Sequence, residues 1–205
     1  DHLDEFIESN IQFATVFRGV NIGHVKLLAS SSSGSLHPKD LDYRVDRCHS
    51  MGFPVAIHAV EQEVVLWASQ ILSNSHISGD RLEHVTELND EALDILSKNN
   101  IYTSVNPSFI YEYGDRYIRL MSTDELKYIY RFKSMLDKNI VLGFGSDAPV
   151  SSPSGLKFIQ SATKRITKNN KTIMNSEQIF IPEAIRMATT NNILLNSMDQ
   201  LSRQI

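Results

Sequence analysis

Pro54-Val55-Ala56-Ile57-His58-Ala59 decides how the rest of the chain is read. It is a short apolar run with β-branched residues that closes on a histidine, and it lies between two longer stretches of helical period. Before it, residues 38–51 place Leu41, Val45 and Cys48 at helical spacing, and Gly52 supplies the left-handed residue expected just past a helix end. After it, residues 61–72 put Val64, Val65, Ala68, Ile71 and Leu72 on one side of a second helix, which the polar Ser73-Asn74-Ser75 ends. A strand between two amphipathic helices is the unit of an α/β fold with a parallel sheet.

The same unit recurs in both directions. Upstream, His24-Val25-Lys26-Leu27-Leu28-Ala29 reads as a strand, and the serine-rich run Ser30 to Ser35 reads as a loop. Downstream, Arg81-Leu82-Glu83-His84-Val85 is a third strand, and Asn89 is placed to cap a helix reaching Lys98. Ile101 to Val105 is a fourth strand, stopped by Asn106-Pro107. Residues 108–121 are aromatic and polar without clear period and predict a long loop over a site. Their Tyr111, Tyr113 and Tyr117 would contact an apolar or aromatic substrate group or pack on the rim. Ser122-Thr123-Asp124-Glu125 is a capping box that predicts one helix to about Lys138, followed by a fifth strand, Ile140 to Phe144. From Gly155 to Ile205 the pattern is helical, with a break at residues 168–172 and Pro182 suited to a first helical turn.

Composition excludes several classes. The chain has 205 residues, 41% hydrophobic and 21% charged, which is ordinary for one globular domain or a large part of a bigger one. A net charge of -4 with scattered Lys and Arg argues against nucleic acid. No apolar run approaches the roughly 18 residues of a membrane span, and no signal-peptide pattern opens the chain. The single cysteine, Cys48, cannot form an internal disulfide. Together these predict a cytoplasmic protein. The first residue is Asp1, which predicts a processed, trimmed or partial chain.

In parallel α/β barrels functional residues sit at the carboxyl ends of strands. Three polar residues recur there: His58, His84 and, past the Gly145-Ser146 turn, Asp147. Two neutral imidazoles and a carboxylate suit a divalent metal site for hydrolysis, with Asp147 moving protons at that site. The bland reading of Asp147 is a cap for the following helix. Lys26, inside an apolar strand, is a fourth candidate. Its amine would be covalently modified, bridge metal, or act as a Schiff-base nucleophile, the bland reading being a snorkelling lysine. Glu83 is expected to be structural and to face away from His84, because neighbours in a strand alternate.

The phrases Gly23-His24-Val25-Lys26-Leu27, Gly52 to Val60, Arg81-Leu82-Glu83-His84 and Leu142-Gly143-Phe144-Gly145-Ser146-Asp147-Ala148-Pro149-Val150 resemble successive motifs of the amidohydrolase superfamily. They are most similar to its amidohydrolase-3 group, which includes N-substituted formamide deformylase-like proteins, over residues 20–195. The resemblance implies a (β/α)8 barrel with one or two divalent metals, often zinc. Lys26 would match the fourth-strand lysine that is carboxylated in some members. His58 and His84 would match the fifth- and sixth-strand histidine ligands, and Asp147 the eighth-strand aspartate.

The pattern also departs from the family. No His-x-His pair of a first strand occurs anywhere in the chain, and the Gly-Asp that usually follows the His58 strand is replaced by Glu61-Gln62. A serine run stands where Asp-Gly follows the fourth strand. The chain therefore reads as one partial domain over residues 1–205, strands four to eight of a TIM-like barrel plus C-terminal helices, with the amino-terminal strands and β-sandwich domain absent. A full barrel needs about 250 residues. The expected function is metal-dependent hydrolysis of an amide or other C–N bond in a small-molecule substrate, the chain alone lacking part of the metal site. An inactive structural or binding subdomain is the alternative. The open sheet edges predict a homo-oligomer or completion by an N-terminal segment.

Overall fold

The computed structural model describes residues 2–32 and 37–196. The chain begins with α1 (His2–Glu8) and a two-stranded hairpin, β1 (Val16–Phe17) and β2 (Val20–Asn21). It continues through β3 (Val25–Leu28), α2 (Pro38–Ser50), β4 (Val55–Ala59), α3 (Gln62–Ser75), β5 (Arg81–His84), α4 (Asp90–Lys98) and β6 (Tyr102–Val105). Then come α5 (Ser108–Leu120), α6 (Thr123–Leu126), α7 (Phe132–Asp137), β7 (Leu142–Phe144), α8 (Gly155–Lys164), a 3-10 turn at Asn175–Glu177, α9 (Ile181–Ala188) and α10 (Thr190–Leu195). Strands β3 to β7 form one parallel sheet in chain order, with helices between successive strands. That is part of an α/β barrel.

Alternation gives the sheet two unlike faces. Leu27, Ile57, Leu82 and Leu142 are buried against the helices, where Val45, Cys48, Val65 and Leu72 complete the core. The other face carries the register row Leu28, His58, Glu83, Ser104 and Gly143. It is the concave, barrel-interior face, and on it Leu28 is 61% exposed.

Two predicted elements are corrected. Residues 108–121 are the helix α5 rather than a long loop. Its inward row is Ile110, Gly114, Tyr117, Ile118 and Met121, a helical period masked in the sequence by the glycine. Gly114 is required there: a Cβ would lie 2.6 Å from Thr167 Cγ2. The single helix predicted from the Ser122 capping box is broken. The box forms as expected, but it starts only the four-residue α6. Tyr130 then takes φ +48°, and the carbonyls of Ile129 and Tyr130 turn to the buried Arg165 guanidinium at 3.3 and 3.0 Å. Arg165 also donates to Ile173 O, so one buried side chain ties the α6–α7 corner to the segment after α8. The five strands of the parallel sheet match the sequence reading within one or two residues, the β1–β2 hairpin has no counterpart in that reading, and Pro182 lies in the first turn of α9. Residues 166–172 form a bridged turn at the predicted break. Ser33 to Ser35 of the serine run, and residues 197–205 of the predicted C-terminal helical stretch, lie outside the described residues.

At the far edge of the sheet, α10 packs on β7. Asn191 Nδ2 donates to Leu142 O (2.7 Å) and Asn192 Nδ2 to Phe144 O (2.9 Å). Gly143 makes this approach possible, since a Cβ there would sit 2.4 Å from Asn192 Oδ1.

Candidate functional site

His58 closes β4 and is registered beside Glu83, so the two side chains share the concave face. Strict alternation would then send His84, the next residue of β5, to the helical side. It does not go there. His84 has φ +75° and Val85 φ +42°, a left-handed pair that breaks the pleat. The two imidazoles meet with centroids 4.5 Å apart and planes at 66°. Left-handed geometry at non-glycine residues costs of order 1–3 kcal/mol each, and a β-branched valine is among the least suited to it. This strain lies where the site residues converge.

Asn106, the residue that closes β6, fixes the state of His84. Its amide Nδ2 donates to Gly145 O at 3.2 Å, so Oδ1 is the atom that faces His84 Nδ1 at 2.7 Å. In the neutral ring this places the proton on Nδ1 and leaves the lone pair on Nε2. Sequence reasoning treated Asn106 only as a strand stop. The signal that could have found it is the one that found the histidines, a polar residue ending an apolar strand.

Electrostatics favour a neutral imidazole at His58: burial, the adjacent His84 and the Lys26 ammonium all push its pKa down, against Glu61 and Asp147. Lys26 lies on the same face, its amine pKa lowered chiefly by burial and further by Arg81, with Glu83 and Asp147 opposing. Glu83 does not face away from His84 as expected: it lies on the concave side with His58, and the broken pleat brings His84 to that side too. Burial raises its pKa, and Arg81 (Nε to Oε1 2.7 Å), Lys26 and a Ser104 hydrogen bond more than offset that, leaving a low-pKa, structurally paired carboxylate.

Asp147 follows β7 with φ +54°, exposed, and its charge acts on both His58 and Lys26. It does not cap the next helix, because α8 begins at Gly155 with Ser154 in the cap position. The structure thus brings His58 and His84 into contact and leaves Lys26 and Asp147 within electrostatic reach. Among the described residues, no three His, Cys, Asp or Glu side chains are already arranged around one metal position. The His58–His84 pair nonetheless fits two metal ligands, because the His58 pKa is pushed down and His84 has an oriented partner on its other nitrogen.

This geometry agrees with sequence comparison, in which the model described as "Amidohydrolase family" matches residues 7–201. The chain belongs to the amidohydrolase family. It is 28% identical over 151 residues to YtcJ of Bacillus subtilis (strain 168), a match that covers 71% of this chain and 28% of that relative. It thus spans just over a quarter of that family member's length. Among solved structures, it resembles an uncharacterized metal-dependent hydrolase from Pyrococcus horikoshii OT3 (TM-score 0.77, 22% identity), over 95% of this chain and 44% of that one. It also resembles a mutant atrazine chlorohydrolase TrzN from Arthrobacter aurescens TC1 complexed with zinc and atraton (TM-score 0.63, 14% identity), over 97% and 42%. These structural likenesses establish the shared barrel fold. Among the described residues no helix is long and apolar enough to cross a membrane.

Proposed function

We propose that the chain is part of a metal-dependent hydrolase of the family, acting on an amide or related C–N bond of a small molecule. The observation that carries this is the broken alternation at His84, which turns that ring out of the core and against His58. In this reading His58 and His84 hold a divalent metal, with zinc the ion found in the TrzN complex. Bound there, the ion would polarise the scissile group and lower the pKa of water.

The protein's own residues do the rest. Asn106 keeps His84 in the Nδ1–H form, so Nε2 points its lone pair to the site. Asp147, exposed at the mouth, takes a proton from the attacking water and returns it to the departing nitrogen. Lys26 would be a further ligand after its neutral amine adds to carbon dioxide with loss of one proton, and Glu83 with Arg81 sets the charge around it. Within the family, the N-substituted formamide deformylase-like group is the subgroup we favour. We further propose that the open β3 edge is completed by another strand, from an N-terminal segment or a second copy.

Zinc titration of the chain tests the ligand pair. Binding is expected to be weak, and His58→Ala and His84→Ala should each weaken it further. Asn106→Ala should lower affinity about 10–100-fold by freeing the His84 tautomer. Equal zinc affinity in all three variants would refute the ligand assignment. Hydrolysis of N-formylated amines by the full-length protein, lost in Asp147→Asn, tests the reaction, and a full-length protein without hydrolase activity would leave an inactive subdomain as the correct reading.

A further inference from the structure

Neighbouring helices of a barrel ordinarily bury apolar ridges in each other's grooves. In the seam between α5 and α8, beside the core contributions of Ile110, Phe158 and Ala162, lie two cavities with a mostly polar lining. Ser108, Tyr111 and Glu112 of α5 (i, i+3, i+4) face Lys157, Gln160, Ser161 and Lys164 of α8 (i, i+3, i+4, i+7), and the two rows leave adjoining cavities of about 160 and 260 Å³. Tyr111, Gln160 and Ser161 line both. None of these residues belongs to the His58–His84 site.

Three features of the seam call for a ligand of one charge. Ser108 is only 2% exposed, its hydroxyl has no hydrogen-bond partner among the described residues, and it lines the inner cavity, the one of about 160 Å³. A buried unmet hydroxyl is costly, and it can donate to an anion. Lys157 stands in the first turn of α8, which holds no acidic residue, so a cation sits where the helix dipole disfavours one. An anion beside it would relieve both. The one carboxylate lining the inner cavity, Glu112, is already taken by Lys168, while Lys157 and Lys164 have no ion-pair partner among the described residues. Beside the polar Gln160, Thr167 and Asn170, the Tyr111 ring, the lysine stems and Ile166 present carbon to whatever body the anion carries.

We propose that the α5–α8 seam is a binding site for a small organic carboxylate, with the carboxylate between Lys157 and the Ser108 hydroxyl and the apolar body along Tyr111. Lys164, two turns and about 10 Å from Lys157 along α8, marks the outer end of the groove. Ser108 is two residues from Asn106, so the occupied groove abuts the segment that orients His84.

The test is an NMR titration of the full isotope-labelled chain with benzoate, with benzamide as its neutral isostere and inorganic phosphate as an anion without an apolar body. The expected result is a saturable benzoate shift at the amides of Ser108, Tyr111, Gln160 and Ser161. Affinity should fall about tenfold in Lys157→Gln and in Ser108→Ala, the scale of one charge-assisted hydrogen bond. Benzamide and phosphate should bind at least tenfold more weakly. Benzamide or phosphate binding as tightly as benzoate, shifts centred on His58 and His84, unchanged affinity in both variants, or no saturable shift would each overturn the proposal. Lys157 is exposed, so its variant folds even where Ser108→Ala perturbs α5.

Discussion

The two edges of the five-stranded sheet end in opposite ways. At the β7 edge, the outward carbonyls of Leu142 and Phe144 are met by the side chains of Asn191 and Asn192, and Gly143 lets α10 lie close enough to deliver them. At the β3 edge, Val25 and Ala29 donate inward to β4, while among the described residues nothing meets the outward backbone groups of Lys26 and Leu28. An unpaired edge is a template for another strand; an edge capped by side-chain amides is not. The two edges therefore differ in their cover: side-chain amides meet the carbonyls of β7, and among the described residues nothing meets the outward groups of β3.

The edges also differ in what titrates. The β7 cap is made of uncharged amides. On the β3 flank, the buried carboxylate of Asp80 accepts hydrogen bonds from His49 Nε2 (3.0 Å), Val55 N (2.9 Å) at the start of β4, and Ile77 N (2.9 Å). Burial alone would raise the Asp80 pKa, but these bonds outweigh it and hold the group below its ordinary 3.8.

The largest expected effect comes from breaking the covered edge. Gly143→Val places a branched side chain against Asn192 and Leu195, and should destabilise the chain by about 3 kcal/mol through overpacking, measured by urea unfolding with Trp67 as reporter. A wild-type midpoint would mean that α10 does not lie on β7.

On the other flank, Asp80→Asn turns an amide N–H toward groups that already donate. It should cost about 1–3 kcal/mol at neutral pH. Because the folded pKa of Asp80 is depressed, its stabilisation is complete above the unfolded value and is lost as pH falls below about 3.8 through the folded pKa. Acid should therefore release the Val25 and Val55 amides to hydrogen exchange before those of Thr103 and Gly145. Simultaneous release would show that the two flanks do not differ in this way.

Asn192→Ala leaves the Phe144 carbonyl without its side-chain donor and should cost about 1–2 kcal/mol. The smallest effect belongs to the open edge. Leu28→Ala should change stability of the chain by less than about 0.5 kcal/mol, since Leu28 is 61% exposed. A larger loss that grows with protein concentration would show that a second copy already covers β3.

The succession of strands and helices was determined by the sequence, because apolar period and turn residues act locally: Pro54 to Ala59, Gly52 past α2 and the Asn89 cap of α4 all stand where their chemistry puts them. His58 and His84 were legible as strand-ending polar residues, yet period-two logic would have put them on opposite faces. Their meeting is decided by two left-handed residues whose strain only the surrounding packing can hold. Tertiary structure also decided α5, where Gly114 hides the helical period until Thr167 is seen against it, and the α6–α7 break, where Arg165 from 35 residues away takes the carbonyls a longer helix would have used. The β7 cap belongs with these, since Asn191 and Asn192 are ordinary polar helix residues until a strand edge 48 and 49 positions earlier in the chain is laid beside them. Local sequence sets which elements form; which side chain meets which strand end depends on contacts between residues far apart in the chain, and those are fixed only when the sheet and its helices pack.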